Sequence, residues 1–123
     1  MRTAIACLGL ALAASACTAP AAGSAAFGRQ LYADNGCASC HGTAGRGDGP
    51  VGKTLTPPPR DFKDAAAYRN GLDEEAIAAT LSRGIDRNGA KMPAFAHLSE
   101  RERRSLALFV IYLRESPDER TAR

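Results

Sequence analysis

The sequence predicts an all-α fold, a small globule of three to four helices with no β-strand. Three segments place apolar residues at helical spacing between helix-capping residues, and no segment alternates apolar and polar side chains as a half-buried strand would. The stretches between the helices are rich in glycine and proline, which interrupt regular structure. At 123 residues the chain has room for one domain.

The first helix is expected from Ala25 to about Asn35, with Gly28, Leu31 and Tyr32 on one face. The second starts at Asp73, an N-cap residue followed by Glu74 and Glu75 in the first turn, and stops at Gly84. Leu72 and Ile77 stand where a hydrophobic staple would join across that cap. The third opens on Ser99-Glu100-Arg101-Glu102, which has the form of a capping box, and runs to about Glu115. Leu106, Phe109, Val110 and Leu113 make one apolar face and Leu108, Ile111 and Tyr112 a second. An arc that wide packs against more than one neighbour.

The ends of the chain read differently. Arg2, an apolar run from Ala4 to Ala14 and the small residues Ser15 and Ala16 have the layout of a secretory signal, expected over residues 1–16. Ala14-Ser15-Ala16-Cys17 resembles a bacterial lipobox, with Ala14 where leucine is usual. Lipidation of Cys17 would anchor the mature chain to a membrane. Ordinary cleavage would leave a bare thiol there, and a later cut would discard it. Residues 17–25, with Thr, Ala, Pro, Gly and Ser after the cysteine, cannot form a core and read as a tether. Residues 116–123 are a charged tail. What remains, 26–115, is the domain. Its 13 Lys and Arg against 11 Asp and Glu leave it near neutral, and no basic tract with interleaved aromatics marks a nucleic-acid binder.

The chemistry lies in Cys37-Ala38-Ser39-Cys40-His41, a Cys-x-x-Cys-His sequence. Two thiols three positions apart can add to the two vinyl groups of one porphyrin, and the next residue places an imidazole under the iron, so the motif reads as covalent haem attachment. Zinc would need a second paired motif, and a redox dithiol would need a βαβ context; neither is present. Covalent attachment is usually completed outside the cytoplasm, which agrees with export. A haem would also staple a domain of this size, and the last helix is expected to touch both it and the first helix. Apart from Met1 the only methionine is Met92, and apart from His41 the only histidine is His97. The iron therefore has Met92 or His97 as an internal sixth ligand, or none. The long irregular stretch from Gly42 to Phe62 suits a haem face closed by main chain.

Cys37, Cys40, His41, Gly42, the run Gly45-Arg46-Gly47-Asp48-Gly49-Pro50 and Met92-Pro93-Ala94-Phe95 together resemble a class I, single-haem cytochrome c of bacterial type. The resemblance covers about Ala26 to Glu115. It implies N- and C-terminal helices that cross, with Gly28 admitting Phe109 or Tyr112, and a haem c whose iron is held by His41 and Met92. It also makes the Pro50 carbonyl a candidate acceptor for the second nitrogen of His41, or else Pro50 only shapes the loop. Arg60 becomes a candidate for a haem propionate, or else a neighbour of Asp61. Tyr68 becomes a candidate for a propionate or for the Met92 sulfur. His97 falls to a surface or capping role.

With both axial positions filled there is no open site for a substrate, so the implied role is one-electron transfer and not catalysis. Donors would be a quinol-oxidising complex or a dehydrogenase, and acceptors an oxidase or reductase, all periplasmic or membrane-bound. Lys53, Arg60, Lys63, Arg87 and Lys91 are the charges expected around the exposed haem edge. A sensor with a labile Met92, or a cytochrome subunit of a larger oxidoreductase, are the alternative readings.

Overall fold

The computed structural model describes residues 21–118. The signal expected over 1–16, the lipidation expected at Cys17, and the last residues of the charged tail lie outside the described residues. Within them the chain runs α1 (Ala25–Asp34), α2 (Cys37–His41), α3 (Glu74–Arg83), β1 (Ile85–Arg87), β2 (Ala90–Met92) and α4 (Glu100–Glu115), with 3₁₀ turns at Gly52–Thr54 and Ala65–Ala67.

Each long helix begins at a side-chain cap. Ser24 Oγ accepts from the Phe27 amide at 3.1 Å, and Asp73 Oδ1 accepts from the Ala76 amide at 2.8 Å. At α4 the capping box is complete. Ser99 Oγ accepts from the Glu102 amide at 3.3 Å, and the Glu102 carboxylate accepts from the Ser99 amide at 2.7 Å. That reciprocal pair holds the Glu102 carboxyl below its ordinary pKa. Leu72 remains 43% exposed while Ile77 is buried, so the expected staple does not carry Leu72 into the core.

The expectation of no strand is corrected by a small hairpin. β1 and β2 pair antiparallel, Ile85 with Met92, Asp86 with Lys91 and Arg87 with Ala90. Asn88 (φ 49°) and Gly89 (φ 83°) form the connection. Positive φ at both central residues is the mark of the turn that matches strand twist, and Asn-Gly is its preferred dipeptide. Three residues per strand are too few to show alternation, which hid the hairpin.

The core is built on α4. Leu106, Phe109, Val110 and Leu113 are buried with Leu31 and Tyr32 of α1, Ile77 of α3, Phe62 and Leu98. The second apolar face is only partly covered: Leu108 and Ile111 are half-buried and Tyr112 is 49% exposed. α1 packs on α4 at Gly28, where a Cβ would overlap the Ser105 carbonyl oxygen and stand 2.8 Å from Phe109 Cβ. The close approach expected for an aromatic of α4 is thus made by Phe109 and, more tightly, by the Ser105 main chain.

Both ends of the domain are pinned further out than the sequence implied. The Gly23 amide donates to Ser105 Oγ at 2.8 Å, inside the expected tether. Lys63 Nζ donates to the carbonyls of Arg114 (3.3 Å) and Ser116, satisfying main chain at the end of α4. Arg46 joins Asp61 (3.2 Å) to Asp118, in the expected tail. No helix among the described residues is long and apolar enough to cross a membrane.

Candidate haem site

α2 is a five-residue helix entered through Gly36 (φ 67°) and left through Gly42 (φ 77°), both in left-handed backbone that favours glycine. Residues three and four apart share a helix face, so Cys37, Cys40 and His41 stand together on one turn. Both thiols are unpaired and half-buried. Burial pushes the Cys37 thiol above its ordinary pKa.

His41 is held by its ring. The Phe62 ring stacks on it with centroids 4.7 Å apart and planes at 29°. Nδ1 is buried and no acceptor lies within hydrogen-bond geometry. Desolvation lowers the imidazole pKa, and the main chain of Arg60 opposes that shift. Nδ1 thus makes no bond to the Pro50 carbonyl. Phe62 is itself fixed at both ends. Its amide donates to the Gly45 carbonyl at 2.8 Å, and its carbonyl accepts from the Tyr68 hydroxyl at 2.8 Å.

The glycine-rich segment after His41 closes on α2 with its main chain. The amides of Gly47, Gly49 and Val51 donate to the carbonyls of His41 (2.8 Å), Cys40 (3.1 Å) and Ser39 (2.9 Å). These are carbonyls that a helix end leaves unsatisfied. Gly49 is required by proximity, since a Cβ there would overlap the carbonyl oxygens of Ala38 and Ser39. From the other side the Tyr32 hydroxyl donates to the Gly42 carbonyl at 2.7 Å. The Tyr32 ring also meets Phe109 edge-on at 5.2 Å. Burial, with Cys37, Asp48 and Cys40 adding to it, raises the Tyr32 phenol far above its ordinary pKa.

The remaining residues singled out in the sequence are placed as follows. Met92 is half-buried at the end of β2, and Pro93 follows it. His97 is exposed, with Nε2 3.4 Å from Asn35 Oδ1. The Tyr68 hydroxyl donates to the Phe62 carbonyl at 2.8 Å. Arg60 is exposed, and Asp61 pairs with Arg46 instead. Of the charges expected around a haem edge, Lys63 is spent on α4, Lys91 lies 3.8 Å from Asp86, Lys53 is exposed, and Arg87 lies on β1. The sequence reading passed over Phe62 and Tyr32 as parts of this site. Their only local signal is that each is a large aromatic next to the motif or at the close of its loop.

The donor set fits a haem. Two unpaired thiols and one ring-clamped imidazole share a helix turn. Among the described residues no group of three or more His, Cys, Asp or Glu side chains has the arrangement that would hold a bare metal ion. Val51 and Leu55, 47% and 41% exposed, leave apolar surface on the segment that packs beside α2.

A family described as cytochrome c oxidase, cbb3-type, subunit III, matches residues 23–110. No curated protein matches the chain. Among solved structures, a chain of a reducing HAO-like protein complex from Kuenenia stuttgartiensis is similar at 30% identity and a TM-score of 0.59. The similarity covers 71% of this chain and 41% of that one, so the present chain spans about two fifths of its length.

Proposed function

This chain belongs to that family of c-type cytochromes, and from this premise we propose that it is a one-electron carrier with a single haem c bound through Cys37 and Cys40 and ligated by His41 and Met92. The observation that carries the reading is the single helix turn that presents two unpaired thiols and the Phe62-clamped imidazole together. A haem with both axial positions filled supplies reversible one-electron chemistry at a fairly positive potential. The residues around it supply the rest. The stacked Phe62 ring fixes the plane of the His41 imidazole, and orientation of this kind sets a ligand's strength as a donor. Gly47, Gly49 and Val51 hold the attachment turn rigid, and small rearrangement is what a rapid electron carrier needs. Val51 and Leu55 offer an apolar margin beside the attachment turn for brief docking, with Lys53 between them for electrostatic steering.

The donor in this reading is a quinol-oxidising complex or dehydrogenase, and the acceptor an oxidase or reductase. The site is the periplasm, reached through the signal over residues 1–16 and held at the membrane by lipidated Cys17. A fixed place in a larger oxidoreductase is the second reading, favoured by the similar solved chain, which belongs to a complex.

The ligation is tested by the ferric absorption spectrum. We expect the weak near-infrared band of methionine-bound iron, its loss in Met92→Ala with a lowered potential and new carbon monoxide binding, and neither change in His97→Ala. A bis-histidine spectrum in the unaltered protein overturns the assignment.

A further inference from the structure

We infer that Arg103 is the positioning residue for Met92, tying the segment that carries this ligand to α4. The inference rests on the His41 and Met92 ligation proposed above.

Residues 93–99 link β2 to α4 without regular structure, so Met92 stands at the head of a segment that needs anchors. Two are main chain. The Phe95 amide donates to the Leu81 carbonyl at the end of α3, 2.8 Å away. Gly84 packs so closely that a Cβ there would lie 2.6 Å from the Met92 oxygen and 2.8 Å from the Ala94 nitrogen. The third is a side chain. Arg103 Nη1 donates to the Leu98 carbonyl and, at 3.4 Å, to the Phe95 carbonyl.

What separates Arg103 from its neighbours is where its charge goes. Arg104, next in sequence, pairs with Glu74 at 2.7 Å and Glu100 at 3.6 Å. Arg103 is half-buried and, among the described residues, makes no ion pair; its guanidinium is given to two carbonyls of the Met92 segment. A hydrogen bond from a charged donor is stronger than one between neutral groups. It also comes from the element fixed by the capping box and by α1 and α3. Releasing it leaves the segment beyond the Ile85–Met92 pairing held by main chain alone, through the packing of Gly84 and the hydrogen bond from the Phe95 amide to Leu81. An external ligand reaches the iron only while Met92 is away. Its apparent affinity therefore scales with the fraction of open molecules.

The test uses ferric holoprotein titrated with imidazole, reading the near-infrared band and the apparent dissociation constant in Arg103→Met, Arg104→Met and the unaltered chain. Loss of a charge-assisted bond should make Arg103→Met bind imidazole about tenfold more tightly, with a weakened band. Arg104→Met, which loses ion pairs elsewhere on the same helix, should stay within about twofold, in keeping with the small worth of exposed pairs. Where Arg103→Met gives no holoprotein, Arg103→Lys keeps the charge without the planar fork and should fall between. Unchanged imidazole affinity in the Arg103 variant, or an equal shift in both arginine variants, overturns the inference while leaving Met92 as ligand. An unaltered protein that lacks the band and binds imidazole no differently from Met92→Ala overturns the ligation reading, and this inference with it.

Discussion

Gly28→Ala pits local propensity against tertiary packing, and the two predict opposite signs. In an isolated helix alanine is better than glycine by about 0.8–1.0 kcal/mol, and α1 would gain that much. The added methyl would overlap the Ser105 carbonyl oxygen and stand 2.6 Å from the Ser105 carbonyl carbon and 2.8 Å from Phe109 Cβ. Carbon atoms in contact prefer about 3.5–4.0 Å, so the shortfall at Phe109 alone is roughly 0.7 Å or more. None of these atoms is the tip of a flexible side chain. Two are main chain of α4 and the third is the root of a buried aromatic, so relief requires moving one helix against the other.

Overpacking of this kind costs about 1–3 kcal/mol and occasionally more. A backbone clash belongs at the upper end, and the propensity gain offsets only part of it. The net expectation is a loss of about 2 kcal/mol, or roughly 8–16 °C in Tm for a domain this size. Thermal unfolding of the ferric holoprotein, followed by far-ultraviolet circular dichroism, measures it. An unchanged or raised Tm would show that α1 does not approach α4 through Gly28, and the reasoning would fail.

Tyr32→Phe removes the hydroxyl bond to Gly42, whose carbonyl also accepts from Gly45 at 3.3 Å; denaturant unfolding should show a loss of about 0.5–1.5 kcal/mol. The Tyr32 phenol is raised in the folded state, so its contribution is whole below the unfolded tyrosine pKa of about 10 and is lost as pH climbs above it. The variant should lack that alkaline component in a stability–pH profile. Ser99→Ala should cost about 1 kcal/mol through loss of the cap. It should also let the Glu102 pKa rise toward its ordinary value, seen by carboxyl NMR titration. Since the folded value is the lower one, the Glu102 contribution exists above the unfolded pKa and disappears as pH falls through the folded one.

What could be read in advance was what local chemistry decides. α4 was legible from end to end because a capping box and four spaced apolar residues lie within one segment, and Asp73 and Gly84 bounded α3 for the same reason. The attachment turn was legible because its three groups must be neighbours in sequence. Partnerships made across the fold were not. Lys63 carries no mark that it satisfies carbonyls at the end of α4, 51 and 53 residues away. Phe62 is one aromatic after a run of glycine and proline, and only the closure of that run brings it over His41. Pro50 shows the converse, where a spacing suggested a bond to the imidazole and His41 Nδ1 makes none.

The segment after His41 would be taken for a surface loop, the part of a protein that best tolerates changes in length. Its hydrogen bonds argue otherwise. Donors two residues apart, at 47, 49 and 51, meet acceptors one residue apart, at 41, 40 and 39, running the opposite way. The match works like meshed teeth of different pitch, and adding or deleting one residue before position 47 would offer the wrong edge of the backbone at every tooth. Natural variation and engineered insertions in this stretch should therefore collect after the 3₁₀ turn at Gly52–Thr54, since Gly52 still packs on the Cys40 carbonyl, however exposed the earlier residues look.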